Sequence, residues 1–296
     1  MYDDTVIKRL EAIAYECRRI NLASEFGHGG GCMSLQDVAV ALYFYKLKHD
    51  PQNPNWAERD RVVLGKAHAA GALYAPLALA GYFPKEQWIP LYGGNKLYPD
   101  GWRTPFQMHA EAWSLPGIDF TGGSLGQGLG FACGLAWAAR LRAPRDRFGE
   151  PQPRYTIYCI SGDGEANEGL FWESAMFAGR HRLTNLVNIV DYNQYNMSET
   201  MGAFLEPVTE KFTSFGWWVD TVNGHDLRDV CRVLDLVENV PDKPKCIIAH
   251  TVKGKGVPPW EFDHIHGSML TAQQREEALA TYLKPLPEGI DAYLEA

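Results

Sequence analysis

The chain has 296 residues, with 28 Lys and Arg against 36 Asp and Glu, giving a formal net charge of −8. Its 46% hydrophobic and 22% charged residues exclude wholesale disorder and suffice for a large core. The acidic balance argues against a general nucleic-acid binder, which would carry a basic excess.

Taken in chain order, the stretch from Thr5 to Leu22 repeats apolar residues at helical spacing (Val6, Leu10, Ile13, Ala14, Cys17). The loop FGHGGGC follows, and Ser34 to Asp37 resembles a capping box opening a second helix through about Leu47. RVVLG reads as a short buried strand and HAAGALYAPLALAG as a helix. From Tyr82 to about Thr121 the chain is irregular and rich in Gly, Pro and aromatics, as functional loops are. GGSLGQGLG leads a helix to about Leu141. The strand TIYCIS runs into GDGE, a helix spans roughly Glu168 to Arg182, and LVNIVD is a strand. WWVDTV and CIIAHTV are later strands around a helix from Leu227 to Val237, and a last helix lies near Thr271 to Tyr282. Apolar strands alternating with helices predict an α/β fold, a parallel sheet with helices on both faces. The expectation is one domain over residues 1–296 with a C-terminal extension from about residue 254.

No apolar run reaches the ~18 residues of a membrane span, and the opening MYDDTVIKRLEA lacks a signal core. The six cysteines (Cys17, Cys32, Cys133, Cys159, Cys231, Cys246) form no CxxC pair. They read as reduced, mostly buried thiols of a cytoplasmic protein rather than as a zinc site.

The sharpest constellation runs from the GDG at Gly162-Asp163-Gly164 to Asn193. It has the size of a βαβ unit, so Asp163 and Asn193 sit at the C-terminal ends of neighbouring parallel strands, where open α/β sheets bind ligands. A carboxylate and an amide oxygen suit Mg²⁺ or Ca²⁺. Gly162 and Gly164 admit a bulky anion, and the following helix N-terminus favours it. Together they predict a metal-bridged diphosphate, whereas a bare GDG would be only a tight turn.

GDG followed about thirty residues later by Asn resembles the thiamine diphosphate-binding motif. GHGG around His28, RDRVVLGKAHAAGALY with His68, RTPFQMHAE with His109, FTGGSLGQGLGFACGLA, and HTVKGKG with the later HIHG resemble, in order, segments of the transketolase family. The resemblance implies that Asp163 and Asn193 ligate the metal through side chains and Tyr195 through its carbonyl. It also implies that Gly162 and Gly164 line the diphosphate, and that Gly123, Ser124 and Leu125 pass beside the ring portion of thiamine diphosphate. Glu168 matches a carboxylate at the subunit contact near the cofactor.

Of nine histidines, His49 and His181 read as surface or capping residues and His225, in NGHD, as a turn residue. His28, His68, His109 and His266 lie beside glycines in loops or at element ends and could build a polar sugar pocket. Breaking a ketose between carbons two and three requires a proton to leave the C3 hydroxyl and one to return to an aldehyde acceptor. Imidazoles titrate near neutrality and serve both directions. The resemblance assigns these transfers to His28 and His266, and orientation of substrate to His68 and His109. His264 could exchange roles with His266. A transition-metal site made of these histidines lacks an i,i+4 pair. Lys253 and Lys255 could draw a substrate phosphate or lie on a solvated loop. Gly29 stands where the family has Pro, which predicts a looser loop.

A whole transketolase needs a second thiamine-binding domain, which the residues after Lys253 cannot encode. The implied assembly is an N-terminal subunit paired with a C-terminal subunit carrying the pyrimidine-binding domain, two of each in a heterotetramer, acting on sugars without nucleic acid or membrane. The alternatives are the α subunit of a 2-oxo acid dehydrogenase, a non-catalytic thiamine diphosphate-binding subunit, and the N-terminal half of a deoxyxylulose-phosphate synthase. SLGQGLG and the HTVKGKG close favour transketolase over the dehydrogenase.

Overall fold

The computed structural model describes residues 3–24, 28–85, 105–195, 205–262 and 270–294. Five parallel strands form one sheet in the order β1-β2-β3-β5-β4: β1 Arg61–Leu64, β2 Ile157–Gly162, β3 Leu186–Tyr192, β4 Trp218–Asn223 and β5 Lys245–His250. Strand side chains alternate between two cores, because successive residues point to opposite faces. Val62, Ile160, Ile189 and Ile247 meet α1 (Asp4–Ala23), α2 (Gly29–Ala41), α3 (Gly71–Leu79) and α7 (Leu227–Leu236) on one side. Val63, Cys159, Val190 and Ile248 meet α4 (Gln127–Arg142), α5 (Gly169–Arg180) and α6 (Val208–Ser214) on the other. The expected two-faced parallel sheet is therefore observed.

Local signals explain several element ends. Asp3 caps α1 by accepting the Thr5 amide at 2.9 Å, and Asp226 caps α7 through the Arg228 amide at 2.9 Å. Helix α8 (Ala272–Thr281) opens with a reciprocal capping box between Thr271 and Gln274. Beyond β5, Val257, Ala278 and Leu283 pack on Leu22 of α1 and Met33 of α2, and Arg9 donates to the Tyr293 carbonyl at 2.7 Å. Among the described residues no helix is long and apolar enough to cross a membrane.

Helix α2 departs from expectation. It begins at Gly29, not at Ser34, and continues through a π-helical turn at Leu42–Lys46. Ser34 is interior and donates to Asp191 Oδ2 at 2.7 Å, while Asp37 pairs with Arg18 and His225. Tertiary partners have taken both would-be capping groups, and the helix lies buried from Gly30 through Ala41, so burial outweighs the poor helix propensity of three glycines. All six cysteines are buried, and none of them forms a disulfide. His49 is held between the Tyr43 carbonyl at 2.7 Å and the Tyr82 hydroxyl at 3.1 Å, and His181 ends α5 as expected.

Candidate active site

Gly162 is in register with Asp191 across β2 and β3, so Asp163 and Asn193 emerge together at the C-terminal edge of the sheet. Both are buried, at 2% and 8% exposure. They floor a cleft that also reaches Gly162, Gly164, Tyr195, Leu125 and His68 among the expected residues, and Gly31, Lys66, Glu165 and Lys253 besides.

The loop after β3 aims one amide at Asp163, and the turn after β2 aims another. Gln194 adopts a left-handed conformation (φ 64°), and its N–H donates to Asp163 Oδ2, while the Gly164 N–H donates to Oδ1 at 2.7 Å. The Tyr195 N–H returns to Asn193 Oδ1 at 3.1 Å. Burial, followed by the charge of Asp191, pushes the Asp163 carboxyl up to about 7 despite these amides. A buried carboxylate with little compensating charge beside an amide oxygen is the hard-oxygen donor set a divalent cation fits. Among the described residues no group of three or more His, Cys, Asp or Glu is placed to hold a metal unaided.

The cleft floor is tied together by Asp191, which is 0% exposed. It accepts hydrogen bonds from Lys66 Nζ, Ser34 Oγ, Thr251 Oγ1 and Asn193 Nδ2. Burial opposes its charge, but Lys66 and these hydrogen bonds prevail and hold the carboxyl below the usual range. Glu165, 1% exposed, accepts the amides of Gly126 at 3.0 Å and Gly162 at 3.2 Å, and burial pushes its carboxyl up to about 7.

Three of the four expected histidines converge beside the cleft. The rings of His28 and His68 lie 5.3 Å apart between centroids. A Cβ built on Gly123 would lie 3.9 Å from His109 Cδ2, which puts His109 beside the SLGQG loop. Burial, then His109 and Lys253, hold the His28 ring below its ordinary pKa, and burial does the same for His109. His264 and His266 lie outside the described residues. Gly123 and Ser124 sit at the loop, short of the cleft lining. Glu168 is also outside the cleft: exposed, it starts α5 and packs beside Gly126.

His225 has a larger structural role than a turn residue. The Val252 N–H donates to its Nε2 at 2.8 Å, so the ring proton sits on Nδ1 and faces Asp37 Oδ2 at 2.6 Å. Asp37 also pairs with Arg18. The network anchors Val252, the residue before Lys253, which is 1% exposed. The only sequence signal was the histidine after Gly224.

A parallel sheet with a paired Asp–Asn edge, a glycine turn and a histidine cluster belongs to the class of α/β proteins whose ligands bind at the C-terminal strand edge. The family profile described as the transketolase thiamine diphosphate-binding domain matches residues 5–283. The chain belongs to the transketolase family. It is 41% identical over 232 residues to the 6-deoxy-6-sulfo-D-fructose transketolase subunit SqwG of Clostridium sp. (strain MSTE9), covering 78% of each chain. It is 34% identical to an apulose-4-phosphate transketolase subunit of Phocaeicola vulgatus, covering 92% of this chain and 89% of that one. The transketolase from Leishmania mexicana superposes with a TM-score of 0.81 at 26% identity over 100% of this chain, which spans 44% of that enzyme. The chain is a transketolase-type transferase subunit, like the two relatives of matching length.

Proposed function

We propose that the chain is the N-terminal subunit of a two-chain transketolase. It would move a two-carbon ketol unit from a ketose phosphate or related sugar to an aldose, with thiamine diphosphate and Mg²⁺ (or Ca²⁺). The observation that carries this reading is the meeting of Asp163 and Asn193 on the floor of a cleft flanked by His28, His68 and His109.

In this reading Asp163 and Asn193 hold the metal through side chains and Tyr195 through its carbonyl, and diphosphate oxygens and water complete the shell. Gly162 and Gly164 leave room for the diphosphate. Gly123, Ser124 and Leu125 pass beside the rings, and Glu168 meets the neighbouring subunit. Thiamine diphosphate supplies the electron sink for carbon–carbon cleavage. With its pKa lowered, His28 is unprotonated at neutral pH and able to accept a proton from a sugar hydroxyl, together with His266. His68 and His109 orient the sugar.

The partner would be a C-terminal subunit bearing the pyrimidine-binding domain, in a heterotetramer of two plus two. An apolar surface on the α4–α5 pair supports it: Phe131, Leu170, Met176 and Phe177 are 42%, 45%, 53% and 39% exposed. We read residues 1–296 as one thiamine diphosphate-binding domain with an extension from about residue 254, working in the cytoplasm, where six buried thiols outside any disulfide stay reduced.

The test is co-purification with the companion chain, then a ketol-transfer screen with thiamine diphosphate and Mg²⁺. The donors should include pentose phosphates, 6-deoxy-6-sulfo-D-fructose and apulose 4-phosphate. The pair is expected to be active and its Asp163→Ala variant inactive. Full activity of this chain alone would refute the two-chain reading. Decarboxylation of pyruvate by the pair would move it to the 2-oxo acid dehydrogenases.

A further inference from the structure

Glu165 has no part in the reading above, yet it is almost fully buried in the cleft wall, at 1% exposure. It stands in the single turn Glu165–Asn167 that follows the GDG. Its two carboxylate oxygens serve two separate loops. Oε1 accepts the Gly126 amide at 3.0 Å, and Oε2 accepts the Gly162 amide at 3.2 Å. Gly126 closes the SLGQG loop in a left-handed conformation (φ 88°) at the start of α4. Gly162 ends β2, one residue before Asp163.

The surroundings are cut to fit this carboxylate. A Cβ on Gly65 would lie 2.5 and 2.6 Å from its two oxygens. A Cβ on Gly128 would lie 2.3 Å from the Gly65 Cα and 3.6 Å from Oε1. Two acceptors are needed because two backbone amides must be satisfied in a buried place. Glutamine matches the volume but turns an –NH₂ toward one of them, so it can serve only one loop.

We propose that Glu165 is a positioning residue that fixes the spacing between the Gly123–Gly126 loop and the Gly162–Gly164 turn, and so the width of the slot for thiamine diphosphate. It acts through the two backbone segments, not on reacting atoms. The inference rests on the thiamine diphosphate reading of the cleft.

Its test uses the full chain, with calorimetric titration of thiamine diphosphate plus Mg²⁺, and separately of inorganic diphosphate plus Mg²⁺. Wild type is compared with Glu165→Gln, Gly65→Ala and the double variant, and thermal unfolding without ligand is recorded for each. Gly65→Ala displaces the carboxylate without removing it, so it keeps the question answerable should Glu165→Gln fail to fold. Each single variant is expected to weaken thiamine diphosphate about tenfold. The double variant should be no weaker than the worse single one, since both act on the same spacing. Inorganic diphosphate, which spans only the GDG side, should weaken less than threefold. In the reconstituted pair, KM for thiamine diphosphate should rise while kcat at saturation stays within about twofold. Wild-type affinity in Glu165→Gln, even with a lowered Tm, would overturn the proposal, as would equal weakening of both ligands. Absence of thiamine diphosphate binding by wild type would instead overturn the underlying reading, and the proposal with it.

Discussion

Lys66 and Asp191 form an ion pair almost entirely withdrawn from water, with side-chain exposures of 4% and 0%. Lys66 Nζ also donates to the Gly31 carbonyl at 2.9 Å, and Asp191 takes the Ser34 hydroxyl and the Asn193 amide. The pair thus joins the end of β1, the start of α2 and the end of β3. A desolvated pair contributes most by not being broken, since either partner left alone is a buried, uncompensated charge.

Lys66→Met is therefore expected to cost about 3–5 kcal/mol of stability, measured by urea unfolding. Lys66→Met with Asp191→Leu should recover part of that loss, because no lone charge remains. A single variant within about 0.5 kcal/mol of wild type would show that water reaches the pair after all.

The lowered pKa values of His28 and His109 set a direction for pH dependence. Both rings are unprotonated above their folded pKa, and proton-accepting capacity is lost as pH falls through it. The acid limb of the reconstituted activity should lie below about pH 6.5, the ordinary histidine value. Lys253→Met removes one of the charges that depress His28, so NMR titration should find His28 moved upward. A downward move would contradict the electrostatic account.

At the opposite end of the sheet, burial lowers the Lys245 ammonium to about 8, where it donates to the Thr184 carbonyl. The unfolded side chain titrates near 10.4. Below pH 8 the folded chain must bury a charge, so this residue's contribution to stability rises from pH 8 to about 10.4. Lys245→Met should raise Tm at pH 7 and narrow its advantage over wild type as pH climbs through that window, a difference of about 1–3 kcal/mol. A constant difference across the window would assign the effect to packing alone.

Two glycines offer a paired packing test. A Cβ on Gly179 in α5 would fall 1.8 Å from the Phe215 carbonyl oxygen, whereas a Cβ on Gly134 in α4 meets nothing within 4 Å. Gly134→Ala should stabilise by about 0.5–1 kcal/mol through helix propensity. Gly179→Ala should destabilise by about 1–3 kcal/mol through overpacking. Thermal unfolding of the two variants decides, and equal signs would refute the contrast.

The parallel sheet and the Asp163–Asn193 edge were legible because each follows from local pattern: apolar strands, a glycine turn, an amide just past a strand. The rest depended on partners distant in sequence. Asp191 reads as the end of a strand, and Lys66 carries no signal of its own beside the strand RVVLG. His225 meets Asp37 across 188 positions, which no local spacing announces. Ser34 carries a capping signature and spends its hydroxyl on Asp191 instead. Glu165 sits where any acidic residue in a first turn would be unremarkable, and only its bonds to the Gly126 and Gly162 amides, with the close approach of Gly65 and Gly128, reveal its use.

The six buried thiols have a practical consequence. Burial raises the pKa of Cys17, Cys133, Cys159, Cys231 and Cys246, so thiolate is scarce as well as hidden. Alkylation of the native chain then requires the molecule to open, and its rate becomes a clock for unfolding. A single cysteine placed at Trp113, 79% exposed, would stand out as the one fast-reacting handle, ready to carry a probe while the native thiols stay silent.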